Sequence, residues 1–505
     1  MKNNLLFFVF IIYSLLISCS EKDVDNIQTP LNEIITINNN VINGPLEGQQ
    51  LDGADPDDLL ETSSFTSIVK IIFGNMVSVD NPLADKGVTV TVNGQDVVIN
   101  ASASSVAYEI SGTTADGSLK IYSDKKLKLS LNKTSITNSE GPAINIQSGK
   151  RVFVVLNNHN TLEDGSSYAT STEDQKGTFF SEGQLIFSGS GTLNVTGNNK
   201  HGIVSDDYIR VLSGHIIVHK ASSDAIHAND GIYIDGGTFD IKANSDGIEA
   251  EKGEIIINSG EFKINVVDDG IAASWDEDNT IDPYVIINGG NFEITTTEGE
   301  GIESKSILTI NGGNINITAY DDAINAGKAI YINNGNIVAY SKSNDGIDSN
   351  GTLTITGGRI FAIGYKSPEE GFDCDNNTFK ITGGWVIGVG GATSLPTANV
   401  STQASTILGG GQANTIYSII NDKNEEILTF KSPASFTTLL LSHHKISVRS
   451  SFRIVNSKSI IDAQEFNGIF TSGKLHESSV LADFTQSAMV SRLGGSIGPG
   501  GGPRP

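Results

Sequence analysis

The chain has 505 residues, of which 58 are acidic and 33 are lysine or arginine, so its formal net charge is −25. This excess of acid argues against nucleic acid and anionic membrane surfaces as partners, and it favours cations or neutral polymers. Two cysteines imply no disulfide framework. An apolar content of 38% is typical of a packed protein and not of a disordered chain.

The first residues predict a lipoprotein signal peptide over 1–18. Lys2 precedes an apolar run that is too short to span a membrane, and the run ends in Leu-Ile-Ser before Cys19, as in a bacterial lipobox. We therefore predict that Cys19 is lipidated and anchors the protein to a membrane, the bacterial outer membrane being the expected one. The acidic tract at 20–23 weakly indicates exposure on the cell surface, and an ordinary secretory signal is the alternative.

Four segments are predicted after the signal peptide. Residues 19–63 are polar and are expected to form a flexible spacer. Residues 64–410 carry alternating apolar residues separated by glycine-rich turns, which indicates short strands. Residues 411–490 read as further strands that cap the end of a stack. Residues 491–505 form a tail rich in glycine and proline.

A repeat of about 23 residues dominates the middle segment. Each repeat carries a glycine in a turn, followed by alternating residues, and a period in the twenties with such alternation predicts a solenoid of stacked coils. At ~3.3 Å per strand residue, one coil holds three short strands and three corners, so the predicted fold is an all-β parallel β-helix. The repeated glycines are Gly191, Gly214, Gly237, Gly260, Gly290, Gly313, Gly335, Gly358 and Gly384.

A second repeat, an acid followed by a small residue and then an apolar one, runs in phase with the glycines. Its acids are Asp224, Asp246, Asp269, Glu300, Asp322, Asp345 and Glu370, and His201 stands in the same place one coil earlier. Several coils carry another acid three residues on: Glu249, Glu303, Asp348 and Asp373.

Equivalent residues on adjacent coils are expected about 4.8 Å apart, so these acids form a ladder of like charges. Such neighbours repel each other by roughly 1–3 kcal/mol unless protons, lysines or bound cations neutralise them. Carboxylate pairs on adjacent coils suit Ca²⁺, which takes six to eight oxygen ligands. All eleven acids are therefore candidate calcium ligands, and a solvated acidic stripe is the alternative.

Aromatic side chains near the acidic corners are candidate platforms for sugar stacking. Trp275 and Tyr284 flank a seven-residue insertion, and Tyr320, Tyr340 and Tyr365 lie in the coils that follow. The alternative for each tyrosine is that it packs in the core or in a turn. The alternative for the insertion is a surface loop without a function.

The sequence offers little for catalysis. It contains neither a Gly-x-Ser-x-Gly elbow nor a His-Glu-x-x-His zinc motif. A calcium-dependent lyase would need a basic residue near the ion, and the candidates in the coils are Lys305, Lys328, Arg359 and Lys366.

The chain also resembles a known family. The stretch Gly-Ser-Gly-Thr-Leu-Asn-Val at 189–195, leading to His201-Gly202-Ile203, is similar to the calcium-binding, right-handed parallel β-helix carbohydrate-binding domain of cellulose- and acid-sugar-binding type. The resemblance spans about 65–460. It implies polysaccharide binding with calcium and a fold shared with pectate-type lyases, but it does not imply catalysis. Ala225, Ala323, Phe372 and His201 depart from the family pattern, and His201 puts calcium at its coil in doubt.

The sequence thus predicts a lipid-anchored protein that binds calcium and polysaccharide without turning it over. An acidic glycan such as polygalacturonate is the first choice of ligand, and a cellulose-like glucan is the second. A calcium-dependent pectate-type lyase and a cell-surface structural or adhesion protein are the alternatives.

Overall fold

The computed structural model describes residues 29–493 except 32 and 39. Strands account for 55% of the structure, which has no α-helix and winds about 13 turns of roughly 23 residues. The parallel β-helix predicted from the sequence is therefore confirmed. Cys19 and the tail beyond 493 lie outside the described residues. No helix in the described part of the chain has the length and apolar character needed to cross a membrane.

The coils build three sheets that are parallel because each strand pairs with the equivalent strand one coil later. Sheet 1 follows the acidic corners and has 13 strands. Its strands are Val88–Asn93, Asp96–Ala101, Ser118–Ser123, Ile144–Gln147, Gly177–Ser181, His201–Ser205, Ile226–Ala228, Ile248–Ala250, Ile271–Ala273, Ile302–Ser304, Ile324–Ala326, Ile347–Ser349 and Phe372–Asp373. The exception to parallel pairing in sheet 1 is its first strand, Val88–Asn93, which pairs antiparallel with Asp96–Ala101.

Sheets 2 and 3 complete each coil and meet at the glycine corner. Leu127–Thr137 is long enough to begin both sheets. Sheet 2 continues with Val152–Asn157, Leu185–Gly189, Tyr208–Val211, Gly231–Ile234, Glu254–Ile257, Tyr284–Ile287, Ile307–Ile310, Ala329–Ile332, Thr352–Ile355 and Phe379–Ile381. Sheet 3 continues with His159–Glu163, Thr192–Gly197, His215–Ala221, Thr238–Ala243, Glu261–Val266, Asn291–Thr296, Asn314–Ala319, Asn336–Ser341, Arg359–Ile363 and Trp385–Gly390.

Identical positions stack from coil to coil in the interior. Ile226 pairs with Ile248, which pairs with Ile271, and all three side chains are buried. At the glycine corner, Gly260 has a φ of 140°, in the region that side chains with a Cβ rarely adopt. A Cβ there would also lie 2.8 Å from the Phe262 ring, so the corner needs glycine on both counts.

Strands outside the coils close both ends of the helix. Ser67–Phe73, Ser78–Asp80 and Val106–Thr114 extend the sheet that Leu127–Thr137 begins. At the other end, Trp385–Gly390 pairs antiparallel with Phe436–Ser442, which also pairs with Ser405–Gly411, and the latter pairs with Val490–Leu493. The regular coils therefore end near 390 and not near 410 as expected, because Ser405–Gly411 already pairs within the cap.

A separate antiparallel sheet lies beyond this cap. It has six strands, two of which come from the N-terminal part of the chain. They are Thr29–Leu31, Thr36–Asn38, Ile416–Asn421, Glu426–Lys431, Ser451–Phe466 and Ile469–Thr485.

The segment expected to be a flexible spacer differs from that expectation. Residues 44–58, here called the strap, run over the outside of sheet 2 from its last coils back to its first. The strap contains a short 3₁₀ turn, Pro56–Asp58, followed by Leu60–Thr62. Four asparagines, one from each of four successive coils, donate side-chain N–H groups to strap carbonyls. They are Asn258, Asn288, Asn311 and Asn333, which bond the carbonyls of Asp52, Leu51, Gln49 and Glu47.

Candidate functional site

The acidic repeat forms two columns along the leading edge of sheet 1. The first column lies in the corner two residues before each buried Ile, and the second column lies three residues later, on the strand itself. The first column is His201, Asp224, Asp246, Asp269, Glu300, Asp322, Asp345 and Glu370. The second column is Val204, His227, Glu249, Ala272, Glu303, Asn325, Asp348 and Asp373.

Aspartates of the first column accept backbone hydrogen bonds from the next coil, which the sequence did not predict. Asp246 accepts the backbone N–H of Asp269 at 2.8 Å, and Asp269 accepts that of Glu300 at 2.7 Å. Asp345 accepts the N–H of Glu370 at 2.5 Å in the same way. Each of these carboxylates therefore binds the next corner with Oδ1, and its second oxygen is directed elsewhere.

The columns are not a solvated stripe, because most of their acids are buried. Asp224, Asp322 and Asp345 are each 3% exposed, and Glu370 is 4% exposed. Oε2 of Glu370 is buried and makes no hydrogen bond within the described structure. Such carboxylates need a proton or a cation nearby, since a bare buried charge is costly.

Burial and like charge raise the pKa values of these acids. Burial, followed by the charges of Asp224 and Glu249, raises the pKa of Asp246 to about 8. Burial raises the pKa of Asp345 to about 9, and burial with the charge of Asp373 raises that of Glu370 to about 8. Without a cation, Asp246, Asp345 and Glu370 therefore retain protons at neutral pH.

The structure gathers the acids into clusters whose oxygens lie within 4.8 Å of one another. They include Asp268, which was not among the ligands predicted from the sequence, and leave the predicted ligands Asp322 and Glu370 outside every cluster. Asp322 instead accepts the side-chain N–H of Asn325 at 3.1 Å and the backbone N–H of Asp345 at 2.8 Å. The all-carboxylate clusters are Asp224/Asp246/Glu249, Asp246/Asp268/Asp269, Asp269/Glu300/Glu303 and Asp345/Asp348/Asp373.

Two of these clusters already contact a basic side chain. Nδ1 of His227 lies 2.8 Å from Glu249, and Nζ of Lys305 pairs with Glu303. Burial opposes the charge of Lys305, but Glu303 and Glu300 raise its pKa, so the amine stays protonated. Within the described residues, no lysine, arginine or histidine forms an ion pair with Asp345, Glu370 or Asp373. Asp345 and Asp373, with Glu370 nearby in sequence, are therefore suited to an external cation.

Two of the predicted aromatic contacts are exposed and lie near the same corner, two coils apart. Tyr320 is 50% exposed and Tyr365 is 44% exposed, and both follow strands of sheet 3 at the corner that leads into the acid columns. The register pairs Ala319 with Ser341, just before Tyr320, and Tyr340 with Ile363, two residues before Tyr365. Beyond that strand, the backbone N–H of Tyr365 bonds the carbonyl of Asn344 at 2.9 Å, so Tyr365 lies beside Asn344 and not opposite Lys342. The two tyrosines are two coils apart, which is about 10 Å along the helix axis at ~4.8 Å per coil.

The other predicted aromatic residues are half-buried. Tyr284 lies on sheet 2, where burial raises its pKa to about 12. Tyr340 packs against the hydrophobic cluster beneath the C-terminal cap. Trp275 has Nζ of Lys252 5.5 Å from its ring centroid. These three are therefore less exposed than Tyr320 and Tyr365, although Tyr365, like Trp275, has an ammonium group beside its ring, with Nζ of Lys366 5.2 Å from the centroid.

Comparison with known proteins identifies the family. Residues 93–344 match the model for the family described as carbohydrate-binding domain-containing protein. A protein of that description from Acetivibrio thermocellus is 28% identical over 156 residues, which cover 30% of this chain and 52% of the relative. The match thus spans about half of that relative's length.

A solved structure described as the polysaccharide lyase-like protein from C. thermocellum, in a gadolinium derivative, is also similar. It is 24% identical, with a TM-score of 0.38, and the match covers 57% of this chain and 96% of that one. The chain belongs, through residues 93–344, to the family of carbohydrate-binding domain-containing proteins.

Proposed function

We propose that this protein is a non-catalytic, calcium-dependent polysaccharide-binding lipoprotein. The observation that carries the proposal is the pair of exposed rings, Tyr320 and Tyr365, close in sequence to the buried carboxylates of Asp345 and Glu370. The family supports the carbohydrate, and the geometry of the columns supports the cation. The glycan class, the ion and the anchor are the parts that we add.

Tyr320 and Tyr365 suit a glycan chain that lies along the helix axis. Sugar rings stack on aromatic faces, and two faces about 10 Å apart contact two separated units of one extended chain. Lys342, on the coil between them, offers an ammonium group to a sugar hydroxyl or carboxylate. Two exposed rings near the same corner, two coils apart, support the proposal better than one isolated tyrosine would.

Asp345, Asp348 and Asp373 are the residues that we propose hold calcium, with Glu370 beside them. Their oxygens converge within 4.8 Å, and carboxylates are the ligands that this hard cation prefers. The ion, when bound, supplies the positive charge that the buried acids lack. Asp269, Glu300 and Glu303 already have Lys305, so we expect weaker binding there.

The position of this cluster favours an acidic glycan. The chain carries a net charge of −25, which repels polygalacturonate in the absence of a cation. Tyr365 lies five residues before Glu370, so an ion at the Asp345 cluster would be close enough to the platform to attract sugar carboxylates. A cellulose-like glucan, held by stacking alone, is the second choice.

The same residues give little support to a lyase. Lys305 is the basic residue closest to the acids, but its raised pKa makes it a poor proton acceptor. Lys328 pairs with Asp282. We therefore propose binding without turnover.

Affinity electrophoresis on polygalacturonate and on a soluble glucan, with calcium and with chelator, tests the glycan assignment. We expect Tyr320→Ala and Tyr365→Ala each to weaken binding, by up to about 1.5–3 kcal/mol if the sugar covers the whole ring. Met76→Ala is the control, because Met76 is 83% exposed and lies in the N-terminal part of the chain. Equal retention of all variants, or calcium-dependent release of unsaturated products, would contradict the proposal.

We further propose that Cys19 carries the lipid anchor at the bacterial outer membrane. The support is the Leu-Ile-Ser-Cys sequence alone, since the signal segment lies outside the described residues. Labelling of cells with a fatty-acid analogue should mark the wild-type chain and leave Cys19→Ser unmarked. Labelling of both chains would rule out this site.

A further inference from the structure

Two histidines stand at the first rungs of the acid columns, where the sequence departs from its own pattern. His201 occupies the first column in place of an acid, one coil before Asp224. His227 occupies the second column, on the same coil as Asp224 and one coil before Glu249. The polysaccharide-binding function described above makes no use of either imidazole.

The nitrogen atoms of both rings converge on one carboxylate oxygen. Nδ1 of His201 lies 2.9 Å from Oδ2 of Asp224, and Nδ1 of His227 lies 3.1 Å from the same oxygen. The two rings stack with their centroids 4.4 Å apart and an interplanar angle of 27°. The three ligand atoms all lie within 4.8 Å of one another.

A further carboxylate approaches from the next coil and is held in place. Oε2 of Glu249 lies 2.8 Å from Nδ1 of His227, and its other oxygen accepts the hydroxyl of Ser274 at 2.6 Å. Oδ1 of Asp224 is likewise occupied, by the backbone N–H of Asp246 at 3.2 Å. In each carboxylate, one oxygen is thus held by a hydrogen bond and the other faces the imidazoles. Hydrogen bonds of this kind orient the ligands in metal sites.

Hydrogen bonds alone cannot satisfy all of the polar atoms in this cluster. A ring nitrogen carries one hydrogen, yet Nδ1 of His227 lies within bonding distance of Asp224 and of Glu249. Nδ1 of His201 is buried and makes no hydrogen bond within the described residues, although it lies 2.9 Å from Oδ2 of Asp224. A single metal ion would bind the two nitrogens through their lone pairs and satisfy the carboxylates at the same time.

The spacing is close to that of a tetrahedral site. Zn²⁺ binds imidazole nitrogen and carboxylate oxygen at about 2.0–2.2 Å, which sets neighbouring ligand atoms roughly 3.3–3.5 Å apart. The nitrogen–oxygen distances of 2.9 and 3.1 Å need to widen by only a few tenths of an ångström. The His201 side chain, 14% exposed, leaves a path for the ion from solvent.

We propose that His201, Asp224 and His227, with Glu249 alongside, form a second metal site that takes a borderline divalent transition metal such as Zn²⁺. Imidazole nitrogen favours such metals, whereas calcium takes oxygen ligands. The site therefore differs in chemistry from the all-carboxylate cluster around Asp345. It rests on residues remote from the tyrosine platform and does not depend on glycan binding.

Calorimetric titration of the metal-free full chain with Zn²⁺, in the presence of saturating calcium, tests the site. We expect one equivalent to bind, and we expect Co²⁺ in its place to show the visible absorption of a four-coordinate site. His201→Asp is the sharpest variant, because it restores the acid that the other coils carry at this position and thereby preserves the ladder. We expect it to weaken Zn²⁺ by more than about tenfold, since even the outer partners of metal ligands matter that much.

Two controls separate this site from other sources of binding. His219→Ala removes an exposed histidine whose Nε2 contacts Asn194, and Zn²⁺ affinity should not change. Asp345→Asn should leave Zn²⁺ binding intact. No binding of Zn²⁺ to the wild-type chain, full displacement of Zn²⁺ by calcium, or equal affinity in His201→Asp would each overturn the proposal.

Discussion

At the scale of single residues, the chemistry of each rung depends on which side chain stands beside it. The first column repeats acids with little variation, but His227 and Lys305 supply positive charge at two places. Burial opposes the charge of His227, yet its bonds to Asp224 and Glu249 raise its pKa to about 10. The rungs therefore divide into those with an internal cation and those without one.

Asp345→Asn tests this division at one residue. The amide keeps an oxygen that accepts the N–H of Glu370, but it cannot ionise and so cannot supply a charged ligand to the ion. We expect the calcium-dependent rise in melting temperature to fall by more than half. Asp422→Asn makes the same substitution at an exposed turn and serves as the control in thermal unfolding. An undiminished calcium effect in Asp345→Asn would place the ion elsewhere.

The sequence could predict the columns but not their internal partners. An acid repeated at coil period must stack, so period alone aligns Asp246 with Asp269. The contact of Lys305 with Glu303, two residues away on the same strand end, depends on side-chain direction that no periodicity encodes. The sequence likewise could not tell which aromatic rings are exposed. Nζ of Lys252 lies beside the ring of Trp275, whereas Tyr320 is 50% exposed.

At the scale of elements, the strap is held to sheet 2 by hydrogen bonds that its composition does not predict. Residues 44–58 are polar and aperiodic, which predicts a loose spacer, but their carbonyls match a ladder of asparagines more than 200 residues away. The asparagines also bond one another: Asn288 donates to Asn258 at 2.7 Å, and Asn311 donates to Asn288 at 2.8 Å. The coil period stacks these asparagines into a ladder, and the carbonyls of the strap accept their remaining N–H groups.

Asn311→Ala tests the strap. The change removes a donor to Gln49 and breaks the asparagine ladder, so we expect a loss of about 1–3 kcal/mol in the free energy of unfolding. Limited proteolysis should then cut within 44–58 faster than in the wild type. Asn316→Ala, on the outward face of sheet 3, is the matched control and should change neither measurement. An equal response of the two variants would mean that the strap contributes nothing.

At the scale of the whole molecule, the fold is a column of equivalent coils, and this is why so much of it follows from the sequence. A glycine corner with a φ above 100° recurs at Gly237, Gly260 and Gly290, and isoleucines stack between them. The ends of the column follow no repeat, and so the boundary near 390 and the shared six-stranded sheet were not predictable. The proposed binding of calcium depends on the negative charge of the acid that the coils repeat.

That charge predicts how stability depends on pH when no cation is bound. The pKa of Asp345 is raised from 3.8 to about 9, and that of Glu370 from 4.5 to about 8. Because the folded state holds these protons more tightly, their contribution to stability is full below about pH 4. It is lost as the pH rises through 8 and 9, where calcium would replace the protons.

The most direct test is therefore the melting temperature with calcium and with chelator, measured at pH 5 and at pH 8. A ligand at 100 times its dissociation constant stabilises the folded state by about 2.7 kcal/mol. We expect a clear rise with calcium at pH 8 and a smaller one at pH 5, where the acids keep their protons. Identical melting curves with calcium and with chelator at pH 8 would contradict the claim that these columns bind calcium.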